Sequence, residues 1–374
     1  MPNDEVVSLF TELAALPSPP GDERVVADRV TAYLGDLGLE VTEDDAGAEI
    51  GSNAGNLYAR IEPTDESGTP LFFCAHMDTV PAEGPIEPVL AEGVIRNGAG
   101  TILGADNKAA VAVMLEGARR VLAENRPHAG IEFLFTPKEE VGLHGAAAFD
   151  QEQLHARVGY VYDQAAPIGE VILGAPYSHS MEVRFHGRAA HSGMYPEEGR
   201  SAIAAAAKAI ADFKLGRVDE DSTANVGTIQ GGTAGNIVPE WCTFIAEARS
   251  HDPQKLADLV REMLEAATFA AGLEDCQVET EIHKSYSGYR FKRDDFVVRL
   301  ARAALERAGY EPTFTLSGGA ADANVFNDRG LACVNLANGM AEIHTPEEHI
   351  AVADLERMVD VTLALVDVAR ETTD

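Results

Sequence analysis

The stretch Pro70-Leu71-Phe72-Phe73-Cys74-Ala75-His76-Met77-Asp78 is an apolar run that ends in two side chains able to ligate a metal. Unbroken hydrophobicity over so short a length suits a strand buried on both faces, the habit of parallel sheets. His76 and Asp78 then stand at its carboxyl end, where open α/β sheets present their functional groups. The pattern recurs. Ile131 to Phe135 leads into Glu139 and Glu140, and Val158 to Tyr162 leads into Asp163. Between the first two runs, Lys108 to Glu124 carries Ala, Val, Met and Leu at helical spacing, with Asp106 just before it. Strands and helices alternating in this way predict a doubly wound α/β domain.

From Tyr177 the character changes. Ser180 to Phe185 alternates like a half-exposed strand, and an Ala-rich helix is expected from Gly199 to Phe213. Strands follow near Ala224 to Gln230 and Trp241 to Arg249. Asp252 would cap a helix from Pro253 to Ala271, and Gln277 to His283 closes the set as a strand. The order β-α-β-β-α-β is that of a ferredoxin-like α+β module. After Phe291 the α/β pattern resumes, with a helix from Asp294 to Ala308, strands at Thr313 to Leu316 and Ala332 to Leu336, and a closing helix from Val352 to Val368. The module is therefore read as an insertion, residues 177–284, in a domain made of 1–176 and 285–374. Two domains also suit 374 residues, more than one core usually fills.

A formal charge of −32 argues against nucleic acid, whose binding rests on neutralising phosphates with Lys and Arg. No apolar run approaches the ~20 residues of a membrane span, so no membrane partner is expected. The start, Met1-Pro2-Asn3-Asp4-Glu5, lacks the basic and apolar regions of a secretory signal, which predicts a cytoplasmic location. Cys74, Cys242, Cys276 and Cys333 are scattered, without metal or disulfide spacing, and read as reduced thiols. The acids are spread along the chain rather than gathered in a tail. Concentrated salt would screen their repulsion, and a halophilic protein is the expectation.

His76, Asp106, Glu140, Asp163 and His344 together supply what two adjacent divalent ions need: neutral imidazoles, hard anionic ligands and one carboxylate able to bridge. His76 and Asp163 would hold one ion, Glu140 and His344 the other, and Asp106 both. Glu139 diverges from its neighbour and is free to act as general base. Asp78, two residues past His76, is placed to accept the other imidazole N–H. Any one of these residues has a plainer explanation, as a satisfied core histidine, a helix N-cap or a solvated glutamate. Their convergence on buried strand ends does not. Zinc is the default ion, and cobalt or manganese fits the same mixed ligands.

These residues lie in motifs: Ala75-His76-Met77-Asp78-Thr79-Val80, Gly104-Ala105-Asp106-Asn107-Lys108-Ala109, Glu139-Glu140-Val141-Gly142, Asp163, Gly187-Arg188-Ala189-Ala190-His191-Ser192-Gly193 and His344-Thr345-Pro346. In this order they resemble the dinuclear metallopeptidase family that includes peptidase T, glutamate carboxypeptidase, aminoacylase and succinyl-diaminopimelate desuccinylase. Gly318-Gly319-Ala320-Ala321-Asp322-Ala323-Asn324 strengthens the likeness to the peptidase T branch. The resemblance implies that the inserted module is a lid that also forms a homodimer. It implies that His191 stabilises a tetrahedral oxyanion, from its own chain or across the dimer, and that Asn236 and Arg249 bind the substrate's carboxylate. An Arg there suits bidentate carboxylate recognition, although an ion pair with Asp252 would explain it equally. Asn107 stands where peptidase T usually has a second Asp, and Gln164 follows Asp163 where Gly is common, which bears on substrate choice. The expected activity is hydrolysis of small peptides by an exopeptidase, with an N-acyl amino acid deacylase as the alternative. A noncatalytic scaffold would have no need of Glu139.

Overall fold

The structure is a computed structural model that describes residues 4–65 and 67–373. Contacts divide the chain into two compact units, Met1–Gly174 with Arg290–Asp374, and Ala175–Tyr289. The inserted unit runs a few residues past the boundary expected at 284 because its last strand continues to Tyr286.

In the first unit the strands Ile131–Thr136, Leu71–His76, Val158–Gln164 and Ala332–Ala337 lie side by side and parallel. Leu57–Ile61 and Val41–Glu43 extend one side antiparallel, and Glu170–Ala175 flanks the other. The two central phenylalanines show why the run at 70–75 has no polar alternation. Successive side chains point to opposite faces. Phe73 stacks on Phe133 with ring centres 5.9 Å apart, on the face covered by the helices Ala105–Ala123 and Val352–Glu371. Phe72 meets Phe326 of the helix Ala323–Asp328 edge-on at 4.9 Å, on the other face. Both are fully buried. Phe72 also dictates its neighbour: a β-carbon at Gly159 would fall 1.9 Å from its ring, so only glycine fits there.

The expected helix at Lys108 is assigned from Ala105, but Asp106 and Asn107 are not helical inside it. Regular helix thus starts at Lys108, with Asp106 held in the break. A hairpin, Pro88–Ala91 with Val94–Asn97, joins His349–Ala351 in a small sheet that the sequence pattern does not predict. Short, partly exposed strands with a proline carry little periodic signal.

The inserted unit has the sheet order Gly216–Arg217, Ser222–Gly231, Trp241–Ser250, Tyr177–His186, Gln277–Tyr286, all antiparallel. Apart from the short edge strand this is the ferredoxin-like arrangement. The helices Ala202–Asp212 and Pro253–Leu273 cover one face, where Met181, Val183, Phe185 and Phe244 form the core. The first helix starts three residues later than expected because Ser201 caps it and Gly199 is extended. The four cysteines are free, and no helix of the described residues is long and apolar enough to cross a membrane.

Candidate metal centre

His76 is the last residue of its strand, and Glu139 and Glu140 follow the strand that ends at Thr136. Asp163 is the penultimate residue of Val158–Gln164. His344 arrives from the loop after Ala332–Ala337, with a φ of 63°. Left-handed backbone costs a residue with a β-carbon about 1 kcal/mol, and such positions gather at functional sites.

The five residues expected as ligands converge. Asp106 Oδ1 lies 3.2 Å from His76 Nε2, and Asp106 Oδ2 lies 3.2 Å from His344 Nε2. One carboxylate therefore turns one oxygen to each of two imidazoles. Glu140 Oε1 is 3.1 Å from His344 Nε2, and Asp163 Oδ1 is 3.8 Å from His76 Nε2. Ligand atoms of His76, Asp106 and Glu140 all lie within 4.8 Å of one another. Tetrahedral ligands at about 2.1 Å from a zinc ion stand about 3.4 Å apart, close to the 3.1 to 3.8 Å between the paired atoms.

Electrostatics give the same picture. Burial would raise the Asp106 carboxyl, but hydrogen bonds with His344 and His76 outweigh it and hold it well below the usual carboxylate range. Hydrogen bonds to Asp106 and Glu140 push the His344 imidazole up to about 10. Burial raises Asp163, and the neighbouring charge of Asp106 adds to it. Buried carboxylate charge is thus concentrated around two imidazoles. Orphaned polar atoms adjoin the donor set: both polar atoms of the Asn107 side chain, and Asp322 Oδ1, are buried without a hydrogen-bond partner among the described residues. The residues fit a pair of divalent ions.

Glu139 is buried and makes none of these close approaches to the imidazoles. Burial raises its carboxyl well above the usual range, opposed by His76 and assisted by Asp163, Asp322 and Glu140. A carboxyl raised in this way is the kind that general-base chemistry employs.

Neighbouring residues hold the candidate ligands, mostly through backbone groups. His76 Nδ1 is 2.9 Å from the Asp78 carbonyl oxygen and 3.4 Å from its Oδ1. The Asp78 carboxylate accepts the N–H groups of Glu139 and Glu140 at 3.0 and 3.2 Å. Asp78 thus orients the imidazole mainly through its backbone, while its side chain fixes the glutamate pair. Asn335 holds Asp163, accepting its N–H at 2.8 Å and donating to its carbonyl at 2.9 Å. Glu348 accepts three N–H groups around Asp106. Asp322, in the glycine-rich motif, accepts from Thr136 Oγ1 at 2.5 Å. Sequence reasoning misses Asn335, Glu348 and the role of Asp322. The only signals are a polar residue inside an apolar strand and a Glu four past His344. A cavity of about 570 Å³ at the opposite strand ends, beside Pro70, Val158 and Ala332, is lined by none of the five ligands.

The other expected residues lie in the inserted unit. His191 forms a β-bridge with Ile237, and the Ser192 N–H donates to the Asn236 carbonyl at 3.0 Å, so His191 and Asn236 sit together. His191 Nδ1 accepts from the N–H groups of Gly193 and Met194, both at 3.2 Å, which places the proton of the neutral ring on Nε2. Arg249, on the strand Trp241–Ser250, pairs with Glu247 at 3.1 Å, while the Asp252 carboxylate caps the following helix.

Residues 72–368 match the model of peptidase family M20/M25/M40. Among solved structures, aminopeptidase PepT of Bacillus cereus is 39% identical with a TM-score of 0.89, over 98% of each chain. A tripeptidase from Staphylococcus aureus is 34% identical with a TM-score of 0.94, over 99% of each chain. Peptidase T of Vibrio parahaemolyticus is 28% identical over 95% of this chain and 93% of its own.

Proposed function

The chain belongs to peptidase family M20/M25/M40, and on that premise we propose that it is a peptidase T-like aminopeptidase acting on small peptides such as tripeptides. It is a metallopeptidase, and metal-dependent peptide hydrolysis is its activity. The narrower reading of substrate is supported by the two solved relatives, named an aminopeptidase and a tripeptidase. The observation that carries the mechanism is the Asp106 carboxylate, with one oxygen turned to His76 and the other to His344.

His76 and Asp163 would hold one divalent ion and Glu140 and His344 a second, with the Asp106 carboxylate facing both imidazoles. Zinc suits this donor set, and cobalt or manganese could replace it. When bound, the pair polarises the scissile carbonyl and lowers the pKa of water towards neutrality. Glu139 takes the proton of the attacking water and passes it to the leaving amine. His191 donates from Nε2 to the carbonyl oxygen as charge builds there. Asn236 and Arg249 bind the peptide's carboxylate, for which a planar guanidinium fork is suited. The inserted unit serves as lid and dimerisation module of a homodimer. Strong negative charge supports a salt-rich cytoplasm as the setting.

The test is to incubate the purified enzyme with tripeptides and with N-acyl amino acids and separate the products by HPLC, before and after chelation. Release of the N-terminal residue from tripeptides, lost with chelator and restored by a divalent ion, is expected. Cleavage of N-acyl amino acids with tripeptides left intact would instead select the deacylase.

A further inference from the structure

Glu348 is only 1% exposed, yet it carries a carboxylate and belongs to none of the roles above. Its Oε2 accepts the N–H groups of Leu103 and Gly104 at 2.7 and 2.9 Å, and its Oε1 accepts the N–H of Asp106 at 3.0 Å. These amides belong to the turn that enters the helix Ala105–Ala123, where Gly104 is left-handed and Asp106 and Asn107 are not helical. A turn so irregular leaves its N–H groups without backbone acceptors, and one buried anion gathers three of them. Glu348 also stands four residues after His344, immediately before the strand His349–Ala351, which pairs with Val94–Asn97. A single side chain thus joins the backbone of Asp106 to the segment that carries His344, across 242 residues of sequence.

Asp106 has little positional freedom if each of its oxygens is to serve a different ion. We propose that Glu348 is the positioning residue of this bridge: it fixes the Asp106 backbone so that the carboxylate spans both metals, and its loss weakens both ions while the fold survives. This rests on reading Asp106 as the bridging ligand. Backbone anchoring of this kind is distinct from the partners that orient imidazoles, yet it acts on metal affinity in the same way.

The experiment compares Glu348→Gln with Glu132→Gln. Glutamine keeps the shape of Glu348 but turns an amide N–H toward at least one of the three backbone donors. Glu132 is a matched control, also 1% exposed and also accepting backbone N–H groups, those of His155 and Ala156, away from every ligand. Each variant is dialysed against metal-free buffer, its bound zinc counted, and zinc then titrated back while melting is recorded. The expected result is that E348Q holds fewer than two ions and rebinds them about 10- to 100-fold more weakly. Saturating zinc should return its kcat with KM unchanged, and E132Q should lose melting temperature but keep both ions. If E348Q does not fold, Glu348→Asp, which keeps the charge but draws the oxygens back by one carbon, is read by the same titration. Wild-type zinc affinity in the Glu348 variant, or equal loss in E132Q, overturns the proposal. Asp106→Asn, run in parallel, separates the two readings: if it sheds both ions while E348Q keeps them, only Glu348 is misassigned. If Asp106→Asn keeps both ions, the bridge is wrong and the positioning role falls with it.

Discussion

The two sheets of this molecule treat a polar side chain in opposite ways. In the first unit the strands Leu71–His76 and Ile131–Thr136 are buried at every position. A charged group among them must be hydrogen-bonded, paired or set on a metal, because the alternative costs several kcal/mol. In the inserted unit Trp241–Ser250 alternates, its even positions buried and its odd ones at least partly exposed. There a polar residue is the default covering of a solvated face and implies nothing. A site on the first sheet therefore announces itself chemically, whereas a site on the second can be told from ordinary surface only by what it does. Substitutions should divide the same way, with the first unit governing metals and proton transfer and the second governing turnover and substrate affinity with the metals intact.

The largest effect expected is from Asp106→Asn. If Asp106 bridges two ions, removing its charge leaves each exposed to the other's repulsion, so metal analysis should find well under two ions per chain and activity should vanish. Full occupancy in this variant would break the comparison at its strongest point. Next comes Glu139→Gln, which should keep both ions while kcat falls by about 10²- to 10⁴-fold. Loss of metal here, with Glu140→Gln retaining it, would exchange the roles of the pair.

From the second unit, His191→Ala should lower kcat by about 10²-fold, as loss of an oxyanion donor does, with zinc content and melting temperature unchanged. Arg249→Ala should instead raise KM. If either variant sheds metal, the division of labour between the sheets is not the one proposed. The smallest effect concerns the surface as a whole. Repulsion among acids should weaken as the Debye length shrinks from about 30 Å at 0.01 M salt to about 3 Å at 1 M. A thermal melt across KCl, with metal saturating, should show a rising midpoint; a flat or falling one would remove the halophilic reading and leave the hydrolase untouched.

The same contrast explains which parts of the molecule are legible in its sequence. The parallel strands are legible because burial on both faces leaves an uninterrupted apolar run, and the five candidate ligands are legible because most of them stand where those runs stop. Phe72 and Phe73 need no polar partner between them, and none appears. Glu348 and Asn335 are not legible. Their partners are backbone amides, which every residue except proline possesses, so no pattern of side chains betrays the contact. His191 is legible only through a motif, since an exposed imidazole in a loop is ordinary. Its accepted hydrogen bonds from Gly193 and Met194, which leave Nε2 as the donor, belong to the three-dimensional structure alone.

The order of the segments along the chain has a consequence for biosynthesis. The interior strand Ala332–Ala337 and the candidate ligand His344 are translated after the whole of Ala175–Tyr289, while His76, Asp106, Glu140 and Asp163 come before it. A nascent chain with the inserted unit already complete still lacks one candidate ligand and a strand from the interior of its main sheet. Until those segments are made, the candidate centre is incomplete. The insertion need not hinder the late strand. Its first and last long strands are antiparallel neighbours, with Tyr286 opposite Ser178, so the folded unit returns the chain close to where it left. Once the insertion has folded, loop-closure entropy for the main sheet becomes that of a short connection rather than a long one. Its early folding should therefore ease completion of the main sheet and of the candidate centre at its strand ends.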